Sequence, residues 1–109
     1  MSRKELHDFL LSFPNTRLDY PFGESVAVYK LKHGEEEKMF ALMSEGKEPI
    51  NLSLKCDPNL ATHLREKYES VMPGYHLNKK HWNTIILSGQ LSRQEIEDLI
   101  AHSYQLVSA

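Results

Sequence analysis

The stretch INLSLK, residues 50–55, alternates Ile50, Leu52 and Leu54 with Asn51, Ser53 and Lys55. A period of two marks a strand with one buried and one wet face, the pattern of an antiparallel sheet covered on a single side. Whatever else the chain forms must cover that one face. The preceding runs SVAVYKLK (25–32) and KMFALMS (38–44) are rich in β-formers and flank the polar, glycine-containing HGEEE, which predicts a hairpin.

Three amphipathic segments supply the cover. Ser2 and Glu5 stand at the spacing of a capping box, and Leu6, Phe9, Leu10 and Phe13 share one face until Pro14 and Asn15 end the helix. Asp57 and Pro58 are an N-cap and first-turn pair for a second helix carrying Leu60, Ala61, Leu64 and Tyr68, predicted to run to about Glu69. Ser92 and Glu95 form another capping box ahead of Ile96, Leu99, Ile100, Ser103 and Val107. Between these helices, SVMPGYHL (70–77) and HWNTIIL (81–87) read as two strands with NKK at their turn.

The predicted order is α-β-β-β-α-β-β-α. It gives an α+β fold, an antiparallel sheet of about five strands covered by helices, in one domain spanning 1–109. This order lacks the β-α-β alternation of a doubly wound nucleotide fold, and the five glycines are scattered rather than gathered into a phosphate loop.

A formal charge of −2 gives no overall basic excess to attract phosphates, so nucleic-acid contact would need a local patch. The single cysteine, Cys56, leaves no internal disulfide framework and suits a reducing cytosol. The N-terminus MSRKELHDF enters an amphipathic pattern without a secretory apolar core, and no run approaches the roughly 20 apolar residues of a membrane span. The expectation is a cytoplasmic protein with no membrane partner.

The densest unusual chemistry lies in PGYHLNKKHWNTI, residues 73–85. Lys79 and Lys80 sit at the predicted turn with His76 and His81 beside them, and Asn78 and Asn83 add amides. Cations suit phosphates and amides suit base edges, the equipment of a β-hairpin wing set against a duplex. Lys30, Lys32, His33 and Lys38 make a second basic run on the first hairpin, although Glu35, Glu36 and Glu37 occupy its tip. Three or four neutralised phosphates would give a log-log salt slope of only about −3 to −4.

Other chemistries have less behind them. His76 and His81 make half a zinc site, with no cysteine or carboxylate in the motif to complete it, so no metal is assigned. Cys56 lies beside Lys55 at a helix start, but its candidate base, His63, is seven residues on, so a buried inert thiol is expected. Asp19, Glu24 and the remaining histidines show no acid-base or triad spacing. His102 falls with Glu95, Asp98 and Gln105 on the polar side of the last helix and is expected to be solvated. In DYPFG (19–23), Tyr20 and Phe22 are expected to pin the first helix to the sheet, or else to line a ligand cleft. The residues indicate a non-enzyme with no catalytic residue and no cofactor.

DYPFGES (19–25), KMFALM (38–43), NLSLKCDPNLATHLREKY (51–68), PGYHLNKKHWNT (73–84) and HSYQLV (102–107) occur in an order and spacing that resemble the MmcQ/YjbR family nearly end to end. The resemblance implies a fold like that of the frataxin (CyaY-like) superfamily. It also implies the family's description as DNA-binding, with two β-hairpins acting as wings. The strongest family motif falls on Tyr75 to Asn83, which places the DNA-binding candidates at His76, Asn78, Lys79, Lys80, His81 and Asn83, with Lys30 and Lys32 on the other wing. Frataxin-like iron binding uses an acidic ridge on the first helix and strand, whereas Arg3, Lys4, Glu5, His7 and Asp8 here are of mixed sign. The preferred expectation is a small non-enzymatic domain, monomeric, that contacts DNA through residues 75–83. The alternative is a protein-interaction or small-ligand module whose contact surface is that hairpin together with the DYPFG aromatics, and a weaker third is a metal binder.

Overall fold

Both capping boxes close. Ser2 Oγ accepts from the Glu5 N–H at 3.1 Å while Glu5 Oε1 accepts from the Ser2 N–H at 2.9 Å, and Ser92 and Glu95 repeat the exchange at 3.1 and 2.9 Å. Four free amides at a helix start are the groups such boxes satisfy. They open α1 (Arg3–Leu11) and α3 (Arg93–Ser108) in a computed structural model that describes residues 1–109. Asp57 caps α2 (Pro58–Lys67) through its carboxylate, which accepts from Asn59 and Leu60.

The strands are β1 (Thr16–Asp19), β2 (Val26–His33), β3 (Glu36–Ser44), β4 (Asn51–Lys55), β5 (Val71–Pro73) and β6 (Trp82–Ile86). They form one antiparallel sheet in the order β1-β2-β3-β4-β6-β5. The α+β architecture and the helix-and-strand order are those expected, with three differences. β1 is an added edge strand, so the sheet has six strands rather than about five. The segment 70–77 is a strand only at Val71–Pro73, because Gly74 leaves the ladder and the chain turns back over the sheet. α2 stops at Lys67, and Tyr68 leaves the helix to give its hydroxyl to Glu95.

All three helices lie on one face. Ala27, Tyr29 and Leu31 of β2, Ala41 and Met43 of β3, Leu52 and Leu54 of β4, Val71 and Ile85 join Leu6, Leu10, Ile96, Ile100 and Val107 in one buried core. Phe40 enters it at a bulge, where the register passes from Tyr29↔Ala41 to Lys30↔Met39. The β3–β4 pairing ends at Ala41↔Leu54, with the Phe40 carbonyl and the Lys55 N–H just beyond it. Ser103, fully buried on α3, donates to that carbonyl at 2.6 Å and accepts from the Lys55 N–H at 3.0 Å. The opposite face carries Val26, Val28 and Lys30 of β2, Leu42 and Ser44 of β3, Asn51 and Ser53 of β4, and Thr84 of β6, and no helix crosses it.

Candidate functional site

Gly74 starts the segment that shapes this uncovered face. Its N–H donates to the Trp82 carbonyl at 2.8 Å, and a Cβ there would stand 2.7 Å from Trp82 Cβ, so no side chain fits without displacing the backbone. Tyr75 N–H then donates to Thr84 Oγ1 at 3.2 Å, and His76 adopts φ 58°, a left-handed conformation that few non-glycine residues take. The His76 and Tyr75 rings lie 4.0 Å apart. Tyr75, His76 and Leu77 thereby become a wall standing on the open face.

Across from them the loop after β1 brings in Phe22. Between the two lies a cleft of about 580 Å³, floored by Val26, Leu42, Ser44, Asn51, Ser53 and Thr84 and edged by Lys47. Its size is that of a small-molecule site. Phe22 and Tyr75 are 60% and 71% exposed, far more than large aromatics usually are. Phe22 therefore does not pin α1 to the sheet, and Tyr20 is 41% exposed. The second reading of DYPFG, aromatics lining a cleft, is the one whose geometry is present for Phe22.

The floor is polar and tight. Ser53 and Thr84 are 8% and 2% exposed, and their hydroxyls stand 2.8 Å apart. Charge at the rim is uneven. Glu45 is bound by Arg3, which also donates to the Ser44 carbonyl, whereas Lys47 makes no ion pair or hydrogen bond.

The residues selected for DNA contact are dispersed. Asn83 is 2% exposed and turned to the helical side: its Oδ1 accepts from Arg65 Nε at 2.6 Å and its Nδ2 donates to the Ala61 carbonyl at 3.3 Å. It cannot reach a base edge, because β-alternation points it into the core opposite Leu54. Lys30 donates to Asp19 at 2.8 Å, and that lysine is the main cause holding the Asp19 carboxyl below its usual range. Lys32 pairs in register with Glu37, which Arg17 binds at 2.7 Å, and His33 pairs with Glu36. The first hairpin thus carries its own acids beside its lysines.

On the other segment Lys79 Nζ donates back to the Gly74 carbonyl at 3.2 Å, and Asn78 Oδ1 accepts from the Lys80 N–H at 3.0 Å. Arg65 of α2 ties this segment down, donating to the carbonyls of Lys79 and Trp82 as well as to Asn83. Cys56 N–H donates to the His81 carbonyl at 2.7 Å. His76, Asn78 and Lys80 are exposed, His81 is partly covered, and the compact hairpin expected over 75–83 is an irregular loop from Gly74 to His81.

Cys56 is buried among Leu54, Leu64, Ile85 and Leu99, and that burial, reinforced by Asp57, pushes its thiol up to about 11. The thiol is buried, as expected, and burial disfavours the thiolate form that a nucleophile needs. His102 is not simply solvated: its Nε2 accepts from the Asp57 N–H at 3.1 Å, joining α3 to the start of α2. Of the cleft residues missed from sequence, Asn51 and Ser53 carried a signal as the polar half of the 50–55 alternation. Ser44 and Thr84 did not, because they share their strand faces with Leu42 and with Trp82 and Ile86.

The YjbR family model matches residues 11–106. YbdF of Escherichia coli O157:H7 is 34% identical over 111 residues, covering 98% of this chain and 88% of its own. A crystal structure of the Deinococcus radiodurans protein DR2400 superposes with a TM-score of 0.91 at 35% identity, over 95% of this chain and 76% of that one. A Pseudomonas syringae protein gives 0.81 at 32% identity over 98% and 99% of the two chains. With the motif from Tyr75 to Asn83 folded as a wall and its anchor, and a family match spanning nearly every element of the sheet, the chain belongs to the YjbR family.

Proposed function

We infer that this protein is a non-enzymatic binding module whose contact surface is the cleft on the open face of the sheet. The observation that carries this reading is the pair of exposed aromatics, Phe22 and Tyr75, on the rim of a cleft whose floor is made of sheet residues. Rigid strands position the floor, and two loops bring the aromatics, an arrangement suited to a small, largely apolar ligand. The DNA reading has fewer groups behind it: with Asn83 buried and Lys30 paired, the candidates facing solvent are Lys32, His76, Asn78, Lys79 and Lys80, on two separate segments.

A monomeric state accords with the edges of the sheet, since β1 has four residues and β5 has three, including Pro73. No helix is long and apolar enough to cross a membrane.

Amide NMR spectra of isotope-labelled protein, titrated separately with a set of small aromatic fragments and with a mixed-sequence duplex, test the reading. Fragments should shift Phe22, Ser53, Tyr75 and Thr84 saturably and lose that effect in Phe22→Ala. A duplex that shifts residues 76–81, with loss in the Lys79→Glu/Lys80→Glu variant and no fragment response in the cleft, would replace this reading with the DNA-binding one.

A further inference from the structure

The hydroxyls at the cleft floor have one proton more than the protein can use. Ser53 and Thr84 carry one hydroxyl proton each, and their mutual bond at 2.8 Å consumes one. Thr84 Oγ1 also accepts from the Tyr75 N–H at 3.2 Å, which uses a lone pair and no hydroxyl proton. Whichever hydroxyl donates to the other, the second proton has no partner among the protein's hydrogen bonds, and both residues line the cleft. A donor held at so buried a position favours an acceptor on whatever enters.

The rim adds charge of the matching kind. Glu45, Lys47, Tyr75 and His76 are the titratable side chains that line the cleft. Glu45 is neutralised by Arg3, His76 packs its ring on Tyr75, and Lys47 has no protein partner. One unmatched ammonium and one unspent hydroxyl proton suit a single carboxylate. A phosphate, with three or more acceptor oxygens and greater charge, would call for more cations than are present. The remaining lining, Phe22, Val26, Leu42, Tyr75 and Leu77, is apolar or aromatic and offers faces for a planar ring.

We propose that the cleft selects a small aromatic carboxylate, its ring between Phe22 and Tyr75 and its anionic group taken by Lys47 and the Ser53–Thr84 hydroxyl pair. This rests on the cleft being the binding surface. No bond is made or broken, and the recognition is that of a carrier or sensor of such acids.

Three probes of nearly equal size separate the contributions: 2-naphthoate, its neutral carboxamide, and the saturated decahydro-2-naphthoate, each titrated against full-length protein and followed by amide shifts of Phe22, Ser53, Tyr75 and Thr84. Naphthoate should bind at least about fivefold more tightly than the other two, the effect expected of one partly exposed charge contact or one aromatic contact. Lys47→Gln should bring naphthoate to the level of the carboxamide, and Phe22→Ala to that of decahydro-2-naphthoate; both side chains are exposed, so folding is kept. Equal binding of naphthoate and carboxamide at these residues, lost in Phe22→Ala, would overturn the carboxylate assignment while leaving the cleft as the binding surface. Shifts confined to residues outside the cleft, or none for any probe, would overturn both.

Discussion

Arg65 Nε donates to Asn83 Oδ1 at 2.6 Å, and the same guanidinium holds the carbonyls of Lys79 and Trp82, so one side chain of α2 joins a buried strand residue to the loop beside it. A planar fork with fixed donors suits this triple attachment, and lysine could not reproduce it.

Asn83→Ala leaves Arg65 Nε and the Ala61 carbonyl without their partner in a buried setting. The unfolding free energy should fall by about 1–3 kcal/mol, the usual cost of stranded polar groups. Urea titration would show this as a lower midpoint at unchanged slope.

Gly74→Ala brings a methyl to 2.7 Å from Trp82 Cβ and 3.2 Å from the Trp82 carbonyl oxygen. The loop must shift away, at a cost of about 1–3 kcal/mol. Tryptophan fluorescence should change along with the thermal midpoint, since Trp82 lies under the displaced segment. A fully folded variant with an unchanged midpoint would contradict the tight approach.

His76 holds φ 58°, where a β-branched side chain is strongly disfavoured and glycine is not. His76→Gly should be neutral or stabilising by up to about 1 kcal/mol, and His76→Val should cost about 1–2 kcal/mol. The pair of variants separates backbone strain from loss of the imidazole, because both remove the ring. Urea midpoints of the two proteins provide the check.

Glu5 is held well below the usual carboxylate value of 4.5, at about 2, first by the Ser2 backbone N–H and then by Arg93. A carboxyl whose value drops on folding stabilises the fold above its unfolded value. That contribution should be complete above about pH 4.5 and fade as pH falls toward 2. Glu5→Gln keeps a capping-box acceptor but cannot titrate, so its urea midpoint should depend less on pH across that window than the wild type's. Equal pH dependence in the two proteins would remove Glu5 from the acid response.

The helices and most strands were legible because each follows from a local rule: Ser2 with Glu5, Asp57 with Pro58, the alternation of 50–55. β1 was not, since TRLD contains one apolar residue and owes its strand form to β2 and to the pairing of Asp19 with Lys30. Ser103 was placed on the apolar stripe without a reason for a hydroxyl there. The reason is the Phe40 carbonyl of β3, 63 residues away, to which its hydroxyl donates. Lys79, Lys80, Asn78 and Asn83 looked alike in the motif because composition does not say which side of a strand a residue faces. One step of pleat sends Asn83 into the core and Thr84 onto the cleft floor. Phe22 and Lys47 belong to the site through loops whose course depends on the whole sheet, so neither had a local signature.

The wall of Tyr75, His76 and Leu77 is a beam clamped at both ends. One end is fastened to α2 by Arg65 and to the Cys56 amide through His81, and the other at Gly74, whose N–H donates to the Trp82 carbonyl at 2.8 Å; between them Tyr75 N–H donates to Thr84 at 3.2 Å and Leu77 N–H to the Gly74 carbonyl at 3.4 Å. Bending at such a beam changes the width of the cleft without disturbing the core. Relatives that share the anchors but vary the span between them can therefore differ in the size of guest they admit while keeping one scaffold.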